Sequence, residues 1–351
     1  MKRKLFDKTL NFEINLIGYK EKGECILFFL KADGNIIYSG LVDCYVNEKE
    51  NVVSDLLVTE HVSRLDFVCW THPHDDHTVG LDKIVNDFCD EKTLFWMSPF
   101  ISKDVKMCSA EARQLYDSLF EILESKKKKR MTIREASDAK ILEKFQCYGN
   151  SVVNPYIFEI RSFAPDSNLL ASLKIKDRFD MGNIYSIGLI INVGHFYIIL
   201  AGDVENRTIK GIPDFSLDIA NQIDYIKIPH HSSLTASGFV DRLNDLDITA
   251  PAVATTTVYR IHKLPNKEIL KKYAIWGSNV EIYSTGNVEN AQLDMNEHGI
   301  IKTTFDILAR NEIPIKTYLA GNAVSVVMQK RKIDDIQKNN LNRLLTQEKE
   351  K

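Results

Sequence analysis

The sequence has 351 residues, a length that suits one large domain or two ordinary ones. Of these residues 44% are hydrophobic and 26% are charged, so the chain can bury a hydrophobic core. Its formal net charge of −3 predicts no broad surface for polyanions, although a local basic patch would still allow nucleic acid to bind. The six cysteines are widely spaced without a C-x-x-C pair, which favours reduced thiols over disulfides. There is no signal-peptide hydrophobic region and no apolar run of ~18 residues, so we expect a cytoplasmic protein that does not enter a membrane.

Strand patterns dominate the first part of the chain. β-Branched and aromatic residues are frequent at 12–19, 25–46 and 65–70, and the sequence ADGN at 32–35 is a hairpin turn signal. Apolar residues then recur at helical spacing from Leu81.

An apolar stripe predicts a mostly helical insertion at about residues 101–147. The stripe consists of Leu115, Leu119, Ile122 and Leu123. The charge run KKKKR at 126–130 follows it, and this run fits either a solvated helix end or a patch that attracts phosphate groups.

Strand patterns resume at 156–163 and at 187–203, where a turn at Asn192–His195 predicts a hairpin. Another strand ends within residues 225–233, and residues 265–274 predict a helix that begins at a proline. The charged residues 328–351 predict a helical tail, so we expect one domain at 1–327 followed by this tail.

The sequence THPHDDHTVG at 71–80 gathers three of the nine histidines and two aspartates directly after a predicted strand. His72 and His74 lie two residues apart, so their imidazoles point the same way on an extended segment and can share one ion. A turn at Asp76 and His77 would aim these side chains at a second ion. Neutral imidazole with carboxylate suits zinc, manganese or iron rather than calcium. A polar turn or a set of helix caps is the alternative explanation.

Three later segments offer further ligands. Asp203 follows an apolar strand, where its two oxygens could bridge two cations. His230 and His231 end another strand, and spacing alone does not decide which of them binds metal. His262 comes shortly before the proline that marks a helix start.

Taken together, these motifs resemble the metallo-β-lactamase family, whose signature is H-x-H-x-D-H. The series continues with G-D, H-H and a histidine before a proline-led helix, and in this it resembles the hydrolase domain of the DNA-internalisation competence proteins of the ComEC type. Relatives of that domain include phosphorylcholine esterases. The resemblance covers about residues 12–305 and implies an αββα sandwich: two mixed β-sheets face to face, helices on both outer faces, and metals at one edge.

The resemblance also implies roles for single residues. The first ion would be held by His72, His74 and His230, and the second by Asp76, His77 and His262, with Asp203 bridging the two. The catalytic residues would be Asp76 and His231, and His231 would bind the leaving oxygen or donate a proton.

The chain departs from the family pattern at two positions. In HHSS, Ser232 stands where the family has glycine. In VDCY, the chain keeps Asp43, which orients a ligand in the family, but loses the following glycine.

The ligand set predicts a metal-dependent hydrolase. Two cations ~3.5–4 Å apart can lower the pKa of water to about 7 and neutralise charge on substrate oxygens. We expect two divalent ions, zinc first with manganese or iron as alternatives, and a phosphodiester or phosphoester substrate such as DNA, RNA or a nucleotide. The sequence has no G-x-S-x-G motif and no paired Cys/His signature that would supply a protein nucleophile.

Two alternatives stay open. A lactone or thioester hydrolase of the same fold could use the same ions. A metal-binding interaction module within a multi-protein system would instead keep the metal for structure, and the helical insertion or the charged tail would then bind a protein partner.

Overall fold

A computed structural model describes the chain over residues 2–99, 109–124, 131–150, 154–176, 182–213, 217, 223–259, 262–277, 280–309 and 314–326. Within these residues the strands form two mixed β-sheets, and seven α-helices are present. None of the helices in this part of the chain has both the length and the apolar character needed to cross a membrane.

The first sheet, called sheet I, has nine strands in the described residues. In spatial order they are β1 (Lys2–Phe6), β8 (Lys140–Gly149), β9 (Tyr156–Ala164), β10 (Gly188–Val193), β11 (Phe196–Leu200), β12 (Tyr225–Lys227), β13 (Ala252–Thr255), β14 (Glu281–Ser284) and β17 (Val324–Ser325). Neighbouring strands are antiparallel from β8 to β11 and parallel from β11 to β14.

The second sheet, called sheet II, has eight strands in the same part of the chain. In spatial order they are β16 (Ile315–Gly321), β15 (His298–Asp306), β2 (Leu10–Tyr19), β3 (Glu24–Ala32), β4 (Asn35–Val42), β5 (Phe67–Trp70), β6 (Leu94–Met97) and β7 (Thr132–Glu135). Neighbouring strands are antiparallel from β16 to β4 and parallel from β4 to β7. The helices are α1 (Val52–Thr59), α2 (Leu81–Phe88), α3 (Ala110–Glu124), α4 (Ser167–Ile175), α5 (Asn206–Ile209), α6 (Gly238–Asp245) and α7 (Lys267–Trp276).

Three apolar clusters show that these elements form four layers. Between the sheets, Phe12 of sheet II packs against Phe158 of sheet I. A second cluster joins the outer face of sheet II to α1, α2 and α3, which contribute Leu57 and Leu115 among others. A third joins the outer face of sheet I to α5, α6 and α7, where Phe239 is buried. The predicted αββα sandwich is therefore confirmed.

The mostly helical insertion predicted at about 101–147 is wrong for part of its length. Of its described residues only α3 is helical, whereas β7 and most of β8 are strands. The reason is pairing within sheet I: β8 lies between β9, which follows it in the chain, and β1, which comes from the start of the chain, and it turns Phe145 and Cys147 into the core. The run KKKKR and the tail at 328–351 lie outside the described residues, so both stay predictions.

The predicted hairpin at 187–203 is confirmed. Strands β10 and β11 pair antiparallel, and the turn between them contains Gly194 with a φ of +65°, a region that glycine adopts without a Cβ clash. This hairpin directs the chain after β11 towards the edge at which β4 and β5 of sheet II also end.

Candidate metal centre

The segment after β5 bends sharply and places its ligand residues on both sides of a turn. His72 is fully buried, and a single 3-10 turn at Asp75–His77 aims Asp76 and His77 back towards it. The turn is fixed by Thr78, whose hydroxyl donates to the carbonyl oxygen of His74 at 2.7 Å.

Asp203 reaches the same place from sheet I. It follows β11 through Gly202, whose φ is +51°, and a Cβ at Gly202 would lie 2.7 Å from the carbonyl oxygen of Ile187. The backbone N–H of Asp203 donates to the Ser186 hydroxyl at 2.8 Å. A side chain at position 202 would therefore disturb the turn that aims Asp203 at the histidines.

His230 and His231 follow β12 in a left-handed turn, with φ values of +48° for both residues. Ser232, which replaces the family glycine, continues this turn with a φ of +63°. Its hydroxyl donates to that of Thr255 at 2.9 Å, a bond that a glycine could not make. Three consecutive left-handed residues are rare outside glycine, and they turn both imidazoles towards Asp203.

The Asp203 carboxylate is the centre of the cluster. Its oxygens lie within 4 Å of Nε2 of four histidines: His77 at 3.4 Å, His231 at 3.5 Å, His230 at 3.7 Å and His72 at 3.8 Å. Only 2% of the Asp203 side chain is exposed. A buried carboxylate among four imidazoles requires positive charge around it, which protons or metal ions can supply.

Two further ligand candidates complete the cluster. An oxygen of Asp76 lies 3.3 Å from Nε2 of His231 and 3.9 Å from Nε2 of His77. Nδ1 of His74 lies 3.1 Å from Nε2 of His72, so His74 faces the cluster through Nδ1 and not through Nε2. Two sets of three side chains lie close enough together to hold an ion. One set is His72, His77 and Asp203, and the other is Asp76, His77 and His231.

Asp43 fixes the orientation of two of the histidines. It accepts from Nδ1 of His77 at 2.7 Å and from the Thr71 hydroxyl at 2.6 Å. Because that hydroxyl has only one proton, it accepts the hydrogen bond from Nδ1 of His72, which is 2.9 Å away. In their neutral forms both rings therefore carry their proton on Nδ1 and present Nε2 to the cluster, the arrangement that metal-binding histidines need.

Glu205 orients the third histidine. Its Oε1 atom lies 3.0 Å from Nδ1 of His230 and also accepts from Thr235 and Asn183 at 2.9 and 3.1 Å. Glu205 also directly precedes α5.

The pKa values of the cluster show its dependence on positive charge. Burial alone would raise the pKa of Asp203, but His231, His77 and His230 hold it well below its ordinary value. Burial would lower the pKa of His77 and His231, but the surrounding carboxylates raise that of His77 well above its ordinary value and that of His231 to about 9. Burial and the neighbouring imidazoles lower the pKa of His72 well below its ordinary value.

A separate observation also indicates that the cluster could bind metal ions. Nε2 of His77, Nε2 of His231 and Oδ1 of Asp203 are buried without a hydrogen-bond partner. Such atoms are costly in a folded protein unless they bind something, and all three are good ligands for zinc, manganese or iron. The donor set of imidazoles and carboxylates thus suits the divalent metals that the sequence predicts.

The structure does not bring His262 to this cluster. Its side chain is exposed, and it belongs to none of the groups of ligand atoms found in the described residues. His231 lies instead beside Asp76 and His77, where the resemblance implies His262. The ligand roles of both histidines remain predictions.

Sequence reasoning missed three buried polar residues behind the cluster. Glu24, Lys227 and Thr256 are almost completely buried, and each lies within hydrogen-bond or ion-pair distance of another. The signal was present in the sequence, because a lysine within the apolar run YIKIP and a glutamate directly before CILFF are unusual in buried strands.

No family model matches the sequence, and no curated protein matches it. Among solved structures, a protein from Parabacteroides distasonis described as a metal-dependent hydrolase is 14% identical; the match covers 78% of this chain and 98% of that one, with a TM-score of 0.38. A diphosphatase of the PhnP family is 12% identical, with 68% and 85% covered and a TM-score of 0.35. A variant of the CmlA β-hydroxylase is 14% identical, with 69% of this chain and 45% of that chain covered and a TM-score of 0.38.

The chain thus spans less than half the length of the hydroxylase. With TM-scores below 0.5, these matches establish neither a family nor a reaction for this chain. The narrower resemblance to ComEC-type proteins stays a prediction.

Proposed function

We propose that the chain is a metal-dependent hydrolase with two divalent ions, acting on a phosphodiester or phosphoester. The observation that carries the proposal is the buried Asp203 carboxylate within 3.4 to 3.8 Å of Nε2 of four histidines. When bound, the two ions would lower the pKa of water towards ~7 and neutralise charge on the substrate oxygens.

The side chains divide into two sets around Asp203. We assign the first ion to His72, His74 and His230, the second to Asp76, His77 and His231, and the bridging position to Asp203. His231 replaces His262 in this assignment because it is 3.3 Å from Asp76, whereas His262 is exposed. Since only 2% of its side chain is exposed, His231 suits a ligand better than a donor of protons to a leaving group.

Substrate would enter on the side of Asp76 and His230. These side chains are 21% and 20% exposed, whereas those of His72 and His77 are fully buried. Asp76 is therefore the carboxylate that water and substrate can reach, and we assign it to orient the attacking water and accept its proton.

Phosphoesters are favoured over lactones and thioesters by the two carboxylates of the centre. Paired metal sites of this composition clamp the attacking and leaving oxygens of phosphoryl transfer. Zinc is the first candidate for both ions, and manganese and iron are alternatives. DNA, RNA and nucleotides all remain within the proposed substrate class.

The proposal is tested by assaying the purified, metal-loaded protein on bis(p-nitrophenyl) phosphate, with a lactone and a thioester beside it. We expect turnover of the phosphodiester, its loss on chelation, and its recovery on adding metal. His195→Ala is the matched control for histidine replacements, because His195 is exposed at the β10–β11 turn. Exclusive turnover of the lactone or thioester would overturn the substrate class, and two bound ions without any turnover would favour the interaction module.

A further inference from the structure

A buried ion pair joins the two sheets directly behind the metal centre. Nζ of Lys227, at the end of β12 in sheet I, lies 2.6 Å from Oε1 of Glu24, at the start of β3 in sheet II. The two side chains are 0% and 1% exposed. Burying two charges is costly, and the site proposed above gives no direct role to either residue.

One oxygen of Glu24 orients His231 through a hydroxyl. The Thr256 hydroxyl donates to Oε2 of Glu24 at 2.7 Å and lies 2.6 Å from Nδ1 of His231. Because its single proton is given to Glu24, the hydroxyl must accept from Nδ1–H of His231. When a metal ion replaces the second proton of the ring, the lone pair of Nε2 is then directed to the ion between Asp76 and Asp203.

The other half of the pair holds the turn that carries Asp203. Nζ of Lys227 donates to the carbonyl oxygen of Gly202 at 3.0 Å and lies 3.9 Å from Oδ1 of Asp203. Gly202 has a left-handed backbone, so this bond fixes the residue whose conformation aims Asp203. Lys227 thus helps to position the carboxylate of Asp203, while Glu24 orients the ring of His231 through Thr256.

We propose that Glu24, Lys227 and Thr256 form a brace that positions His231 and Asp203 together, and so sets the affinity of the second metal ion. This proposal rests on the proposed function, which assigns His231 to the second ion together with Asp76 and His77. Its three members are positioning residues and touch neither substrate nor water at the reacting centre. The arrangement resembles that of Asp43 and Thr71, which orient His77 and His72 from sheet II.

The test measures metal binding separately from activity. The metal-free protein is titrated with zinc in competition with a chromophoric chelator, and cobalt is added in parallel to record the visible spectrum of the centre. Glu24→Gln and Thr256→Val should each lower the affinity for the second ion by about 10–100-fold, the usual effect of removing a group that orients a metal ligand. Thr256→Ser keeps the hydroxyl and should bind within about twofold of the wild type.

Glu13→Gln is the matched control. Glu13 is also a buried glutamate of sheet II and pairs with Lys302 at 2.8 Å. It lies opposite Phe29, five residues along β3 from Glu24, which corresponds to about 17 Å along the sheet. We expect this variant to lose thermal stability but to bind both ions as the wild type does.

Three outcomes separate the brace from a purely structural pair and from failure of the proposed function. The proposed role of the brace is overturned if Glu24→Gln and Thr256→Val bind the second ion with wild-type affinity. It is also overturned if Glu13→Gln lowers the affinity for the second ion by the same factor. If Glu24→Gln does not fold, the double variant Glu24→Gln/Lys227→Met leaves no unpaired charge, and it should show the same loss of the second ion. A wild-type protein that binds no second ion would overturn the proposed function itself.

Discussion

The carboxylate of Asp43 accepts a hydrogen bond from Nδ1 of His77 at 2.7 Å, and both side chains are completely buried. Asp43 also has a φ of +57°, a conformation that asparagine tolerates but alanine does not. Asp43→Asn therefore removes the charge without forcing the backbone to change. This makes it the informative replacement at this position.

We expect Asp43→Asn to bind metal about 10–100-fold more weakly, because His77 loses its anionic partner. Hydrolysis at subsaturating metal should fall in parallel, and zinc titration with an assay at each point measures both. Asp33→Asn is the control, since Asp33 has a φ of +51° at an exposed turn and accepts from the backbone of Asp7, Lys8 and Thr9. Equal metal affinity in the two variants would contradict an orienting role for Asp43.

Asp203→Asn should abolish binding of both metal ions, because it removes the carboxylate shared by both sets of ligands. In the wild type, zinc at about 100 times its Kd should stabilise the fold by about 2.7 kcal/mol and raise the Tm. The variant should show no such rise, and differential scanning calorimetry with and without zinc measures the difference. A full zinc-dependent rise in Asp203→Asn would mean that the ions bind elsewhere.

The metal-free protein should lose stability as the pH rises from about 6.5 to about 9. The pKa of His231 is raised to about 9 in the folded state, from about 6.5 when unfolded. Its proton therefore stabilises the fold fully below pH ~6.5, and this contribution disappears as the pH passes the folded pKa, by about 3 kcal/mol in all. Over this window Asp203 stays ionised in both states, so it does not oppose the change.

Urea unfolding of the metal-free protein at several pH values measures this effect. Loading with zinc should flatten the profile, because the metal replaces the proton on Nε2. A metal-free stability that is constant or rises over the same window would show that His231 is not protonated among these carboxylates.

The charge run at 126–130 gives a prediction about nucleic acid. If it guides a backbone to the centre, neutralising Lys126 to Lys129 should weaken oligonucleotide binding and reduce the slope of log K against log salt by about 0.7–0.9 for each phosphate that is no longer neutralised. Turnover of a small phosphodiester should be unchanged, because the ligand residues are intact. Unchanged binding at low salt would identify the run as a solvated helix end and favour a small phosphoester as substrate.

The αββα class was predicted through the resemblance that the H-x-H-x-D-H motif carries, and most of the cluster was predicted because strands that end in His, Asp and Gly-Asp carry a strong local signal. The sequence did not predict that β8 is a strand, and one of the two partners of β8, β1, comes from the distant start of the chain. The sequence also did not predict that His262 is exposed or that His231 lies beside Asp76. The position of His231 depends on a left-handed turn at residues 230–232 that spacing does not reveal.

Glu24 and Lys227 show the same limit from another side. Each looks out of place in an apolar strand, but only the packing of one sheet on the other brings them to 2.6 Å. This contact between the sheets joins residues about 200 positions apart, and no pattern within a single strand encodes it.

The proposed function depends above all on Asp203 holding two metal ions between two sets of ligands. Elemental analysis of the purified chain, reconstituted with zinc or manganese and freed of excess metal, is the direct test. We expect about two ions per chain in the wild type and almost none in Asp203→Asn, as is typical of a bridging ligand in a two-metal site. Less than half an ion per wild-type chain would contradict the two-metal centre.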